Sequence, residues 1–193
     1  MAMQTIRSFI AIPLSASVSR AVSKLIDRLA EDGDGIRWVP KDNLHLTLKF
    51  LGDVDNTELP KLCQSLREIC QACQPFPLQF EGTGGFPDID RPRVLFAGVQ
   101  GDRESLCELV TEIETRFADL GFKPEPRDYR PHLTLGRTRS GSRKPTDDVV
   151  QRLKEAGDTS LGEITVDEVL MVGSFMEKRS GPSYQVMDTV PLG

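Results

Sequence analysis

The chain has only two histidines among its 193 residues. A catalytic zinc usually takes three protein ligands, and neither an H-E-x-x-H stretch nor a clustered His–Asp–Glu pattern is present. No metal site is expected. Cysteine is scarce as well, at four. Cys70 and Cys73 form a C-x-x-C pair, but no second pair has the spacing that a structural zinc requires. With Cys63 they share a helical face with Leu59, Leu62, Leu66 and Ile69, so they read as small apolar core residues. Positive charge is not in surplus either, because the formal net charge is −5. Binding along nucleic acid in general needs a basic face. A nucleic-acid coat is therefore excluded, and a small basic pocket for one phosphate is not.

Long apolar runs are also missing. The opening stretch is interrupted by Arg7, Ser8 and Pro13, too soon for a membrane span and poorly for a signal peptide. A cytoplasmic monomer with no membrane partner is expected. The glycines of EGTGGFP (81–87) are not followed by Gly-Lys-Ser/Thr, so they predict a bulge or sheet bend and not a phosphate loop. No linker or low-complexity tract divides the chain, and residues 1–193 are expected to form one bilobal domain. With 38% hydrophobic and 27% charged residues, it has the make-up of an ordinary globular protein.

The hydrophobic periodicity predicts strands at TIRSFIAI (5–12), NLHLTLKFLG (43–52), PLQFEGTGGFP (77–87), RVLFAGV (93–99) and RPHLTLGRT (130–138), with a short extended piece at IRWVP (36–40). Amphipathic helices are predicted over 15–33, 57–73, 102–121 and 146–157, the last capped by Thr146. A terminal strand pair, EITVDEVLMVGSF (163–175) and SYQVMDTV (183–190), is expected, joined by the turn residues KRSGPS (178–183). Strands and helices alternate irregularly, with hairpin-like joins. An α+β fold with mainly antiparallel sheets follows from that order.

One pattern stands above the rest. The tetrapeptide HLTL occurs at 45–48 and again at 132–135, and it holds both histidines. Side chains alternate across a strand. His45 and Thr47 therefore share one face and Leu46 and Leu48 the other; His132 and Thr134 stand likewise against Leu133 and Leu135. A single histidine in a strand is more often a hydrogen-bonded structural residue than a catalyst. Two copies of the motif, in a chain with no other histidine, point to imidazoles facing each other over a cleft.

Such a pair suits in-line displacement at a phosphodiester, where one group takes a proton on the entry side and another gives one on the exit side. Imidazole titrates near neutrality, and the threonine hydroxyls are placed to hydrogen-bond the equatorial oxygens. Arg130 shares the parity of His132 and Thr134 across Pro131, which makes it a candidate phosphate ligand. Asn43 and Lys49 have matching parity in the first copy and are expected at the solvated surface. Arg137 and Arg139 have the opposite parity or lie beyond the strand, and are not expected in the site.

The paired HLTL motifs resemble the HxTx signatures of the two-histidine (2H) phosphoesterases. The likeness is closest to the RNA 2′,3′-cyclic phosphodiesterases, the 2′-5′ RNA ligase-like or LigT/ThpR-type proteins. It runs nearly end to end, through RSFIAIPL, WVPKDNLHLTLKFLGDV, GGFPDIDRPRVLFAGV, YRPHLTLGR and VLMVGSFMEKRSGPSYQVMDTVPL. The resemblance implies two pseudo-symmetric halves, each presenting one HxTx strand to a central cleft. It implies hydrolysis of RNA 2′,3′-cyclic phosphate ends to 2′-phosphomonoesters with neither metal nor nucleotide cofactor, His45 as proton donor and His132 as proton acceptor. Some relatives also join RNA through a 2′-5′ linkage. The other readings are a phosphodiesterase for a small cyclic nucleotide or an ADP-ribose cyclic phosphate, and a non-catalytic nucleotide-binding module. The intact His–Thr pairs argue against the last.

Overall fold

A computed structural model describes residues 5–139, 145–177 and 181–193. The chain runs β1 (Thr5–Pro13), α1 (Ala16–Leu29), β2 (Ile36–Trp38), β3 (His45–Asp55), α2 (Leu59–Gln71), β4 (Phe76–Phe86), β5 (Val94–Gly101), α3 (Arg103–Asp119), β6 (His132–Thr138), α4 (Asp147–Glu155), β7 (Ser160–Val166), β8 (Glu168–Glu177) and β9 (Gly181–Pro191). A 3₁₀ turn, Lys41–Asn43, leads into β3.

Two sheets result, one of four strands in the order β3-β1-β8-β9 and one of five in the order β2-β6-β5-β4-β7. Among the described residues every pairing is antiparallel. This is the α+β architecture the sequence pattern predicts. With β2 set aside, since it pairs in the five-stranded sheet, two halves repeat the order strand, helix, strand, helix: β1-α1-β3-α2 and β5-α3-β6-α4. In each half the histidine opens the second strand, which pairs antiparallel with the first. β3 and β6 are neighbours where the sheets meet.

The helices form where apolar residues recur every three or four positions. On α1 these are Val18, Val22, Leu25, Ile26 and Leu29, all buried, and the Ser15 hydroxyl caps the first turn by accepting from the Val18 N–H at 3.3 Å. Thr146 caps α4 in the same way through the Val149 N–H. Helices α1 and α4 pack on β7 and β4 of the five-stranded sheet, and α2 and α3 on β9 and β3 of the other. Leu46, Leu48, Leu133 and Leu135 join one continuous apolar core with these helices. Burial of their leucines thus aims both histidine faces away from the helices. Cys70 is buried and Cys63 and Cys73 pack against the core. Burial pushes the Cys70 thiol up to about 12 and Cys63 to about 11. Gly82 sits at φ +72° where β4 shifts register, and a Cβ there would come within 2.7 Å of the Gly157 carbonyl oxygen. The bulge expected at EGTGGFP is present.

The C-terminal reading needs correction. EITVDEVLMVGSF is not one strand. It breaks at Asp167 into β7, which pairs with β4, and β8, which crosses to lie between β1 and β9 in the other sheet. Both pieces carry buried apolar residues at alternate positions near the break, Ile164 and Val166, then Val169 and Met171. The alternation slips by one residue across Asp167, from even to odd positions, but the slip does not say which sheet each piece joins. β8 and β9 do pair as a hairpin, and residues 178–180 of its expected turn lie outside the described residues.

Candidate active site

His45 and His132 have matching surroundings. Each ring places Nδ1 2.7 Å from the carbonyl oxygen two residues earlier, that of Asn43 for His45 and of Arg130 for His132. A carbonyl oxygen only accepts, so Nδ1 must donate in both. The proton of each neutral ring is thereby committed to Nδ1, and Nε2 is left as the nitrogen that takes or gives a proton. Aromatic rings fix the imidazole planes. Phe9 stacks on His45 at 4.7 Å, and Tyr184 meets it edge-on at 5.3 Å. Phe86 and Phe96 meet His132 edge-on at 5.0 and 5.7 Å. Thr47 and Thr134 are half-buried on the histidine faces, between buried leucines.

Both imidazoles are held below the usual imidazole range. Burial is the main cause, the hydrogen bond from Nδ1 to the carbonyl works against it, and the positive charge of Arg137 adds to it. Arg137 therefore lies within electrostatic reach of both histidines, the opposite of what strand parity predicts.

The reason is a pair of β-bulges in equivalent places. Along β1–β3 the register steps from Ala11↔Thr47 to Ile10↔Lys49, skipping Leu48. Along β5–β6 it steps from Phe96↔Thr134 to Leu95↔Gly136, skipping Leu135. An extra residue reverses the alternation beyond it. In the second copy this turns Gly136 inward and brings Arg137 to the histidine face. In the first it turns Lys49 into the core and brings Phe50, 52% exposed, to the histidine face, 6.0 Å from Phe9.

Lys49 is accordingly not a surface residue. Its side chain is 0% exposed and donates to Glu114 Oε2 at 2.5 Å and to the Lys123 carbonyl at 3.2 Å. Asn43 is half-buried too, with its amide donating to the Pro182 carbonyl. A second tie joins the halves, from the Tyr129 hydroxyl to the Thr47 carbonyl at 3.0 Å. Arg130, the cation singled out by parity, is exposed, with its guanidinium carbon 6.0 Å from the centre of the Phe86 ring. That puts it at the rim beside His132, and its backbone carbonyl orients that ring.

A cavity of about 370 Å³ opens beside His45, walled by Phe9, Leu44, Val172 and Tyr184 and edged by Lys41 and Ser19. Among the described residues no group of three or more His, Cys, Asp or Glu side chains is arranged to hold a metal ion. No helix there is long and apolar enough to cross a membrane.

Two half-folds presenting matched imidazoles beside a shared guanidinium have the layout of a phosphoesterase site. Comparison with known proteins agrees. The family model described as LigT like Phosphoesterase matches residues 12–96 and 98–184, and the chain belongs to that family. It is 32% identical to the RNA 2′,3′-cyclic phosphodiesterase of Methanothermobacter thermautotrophicus, over 97% of this chain and 99% of that one. Against the protein of the same name from Thermotoga maritima it is also 32% identical, covering 94% of this chain and 92% of that one. Among solved structures, a Thermus thermophilus protein superposes with a TM-score of 0.79 at 25% identity, covering 97% and 98% of the two chains. Escherichia coli LigT complexed with 3′-AMP gives 0.76 at 24% identity, covering 98% and 99%, a likeness of fold.

Proposed function

We propose that the protein hydrolyses the 2′,3′-cyclic phosphate at an RNA end to a 2′-phosphomonoester, with His45 and His132 as its acid–base pair. The observation that carries this reading is the matched setting of the two rings, each with Nδ1 committed to a backbone carbonyl and Nε2 left for chemistry. The name shared by the full-length relatives supports the substrate class.

In the proposed step, His132 Nε2 takes a proton from water as the oxygen attacks phosphorus in line with the 3′-oxygen. The phosphorus–O3′ bond breaks, and protonated His45 gives its Nε2 proton to the departing O3′. The phosphate stays on O2′. Thr47 and Thr134 donate hydrogen bonds to the non-bridging oxygens, and Arg137 opposes the charge that builds on them. Arg130 reaches the substrate from the rim. No step calls for a metal ion. With a ribose 5′-hydroxyl in place of water, the same displacement leaves a 2′–5′ linkage. The apolar walls of the cavity beside His45 suit a nucleobase.

The test is a panel of cyclic-ended oligonucleotides, cyclic mononucleotides and an ADP-ribose cyclic phosphate, run with and without a chelator and with the products identified. A 2′-phosphomonoester formed at an undiminished rate in EDTA is expected. A 3′-phosphomonoester, or a rate restored only by a divalent ion, would overturn the mechanism.

A further inference from the structure

Arg37 and Arg137 are direct cross-strand partners on β2 and β6. Residues opposed in an antiparallel pair project from the same face. Here it is the histidine face. Ile36, next to Arg37, is buried in the core, while both arginines are exposed. Like charges directly opposite on neighbouring strands destabilise the pairing.

Among the described residues, neither guanidinium forms an ion pair with a carboxylate. The polar group that both act on is the Tyr184 phenol, on the ring that meets His45. Arg7 also acts on Tyr184, but it faces Asp53 in register. Arg37 and Arg137 face each other. A local rule broken in this way, beside a site built for phosphate, marks a place for an anion.

The two arginines are not equivalent. Arg137 acts on both histidines and Arg37 on neither. β2 is the edge strand, one strand spacing of about 4.8 Å beyond β6. Arg37 therefore lies outside the reacting centre and next to it.

We propose that Arg37, beside Arg137, holds the next phosphate of an RNA strand, on the 5′ side of the terminal nucleotide, so that an oligonucleotide end is preferred over a cyclic mononucleotide. This rests on the reaction proposed above and adds its substrate length. A single phosphate contact is consistent with a chain of net charge −5.

The experiment measures kcat/KM for adenosine 2′,3′-cyclic phosphate and for an adenylate tetranucleotide with a cyclic end, across a range of salt, in wild type, Arg37→Gln and Arg37→Lys. Wild type should favour the tetranucleotide. Arg37→Gln should lose about tenfold more on the tetranucleotide than on the mononucleotide, the effect of ~1.4 kcal/mol of binding. Its salt slope for the tetranucleotide should flatten by about 0.7, one phosphate contact on a single strand. Arg37→Lys keeps the charge and should restore the slope. Mononucleotide turnover reports folding in the same samples. Equal losses on both substrates, or an unchanged salt slope, would overturn the subsite while leaving the reaction standing. A wild-type protein that opens neither substrate would overturn the reaction and the subsite with it.

Discussion

Removing Glu114 should damage the protein far more than removing its partner Lys49. In Glu114→Ala the Lys49 ammonium stays at a position that is 0% exposed, with one remaining acceptor, the Lys123 carbonyl. Breaking a buried pair so as to leave an uncompensated charge costs roughly 3–5 kcal/mol. For a chain of this size that is a fall in Tm of about 6–20 °C. Lys49→Met leaves the opposite situation. The Glu114 side chain is 20% exposed and still accepts from the Glu125 N–H, so water can solvate it. Its loss should be about 1–3 kcal/mol, the cost of one charged partner gone. The double variant Lys49→Met/Glu114→Leu removes both charges and should recover much of the Glu114→Ala loss, since well-packed apolar replacements of buried pairs are often near neutral. Thermal and urea unfolding of the four proteins tests this. Equal, small shifts for both single variants would mean that Lys49 reaches water, and would refute the inward turn of β3 after Leu48.

The remaining predictions concern catalysis. Both imidazoles sit below their ordinary range in the free protein, so the pH profile of kcat/KM, which needs one neutral and one charged ring, should be a bell centred below about 6.5; a bell centred above pH 7 would contradict burial as the dominant influence. His45→Ala and His132→Ala should each lose about 10²–10⁴-fold on a cyclic RNA end. With a nitrophenolate leaving group His45→Ala should recover relative to wild type and His132→Ala should not; the reverse pattern would exchange their roles. Arg137→Ala should cost about 10²-fold or more, the loss of a donor aimed at developing charge, and Arg137→Lys less. The exposed Arg130 should cost under about tenfold as Arg130→Ala, and an Arg130→Ala loss equal to that of Arg137→Ala would place the working cation at the rim.

The local and periodic part of this protein was legible in the chain alone. Alternation in HLTL requires only that the backbone be extended, so the histidine–threonine faces and the leucine faces could be read directly, and so could the helices, with a cap at Thr146. The repeat of HLTL, holding both histidines, marked the candidate site without any knowledge of the sheets. Whatever depends on a partner strand was settled only by the folded molecule. A bulge is defined by the residue it faces, and no feature of HLTLK or HLTLG announces that Leu48 and Leu135 have no direct partner on the neighbouring strand. Parity counted through them assigned Lys49 to solvent and removed Arg137 from the site. Pairing sent Lys49 to Glu114 in the core and brought Arg137 to both histidines. The break at Asp167 has the same origin, because alternation records which face of a strand is buried and not which sheet the strand has joined.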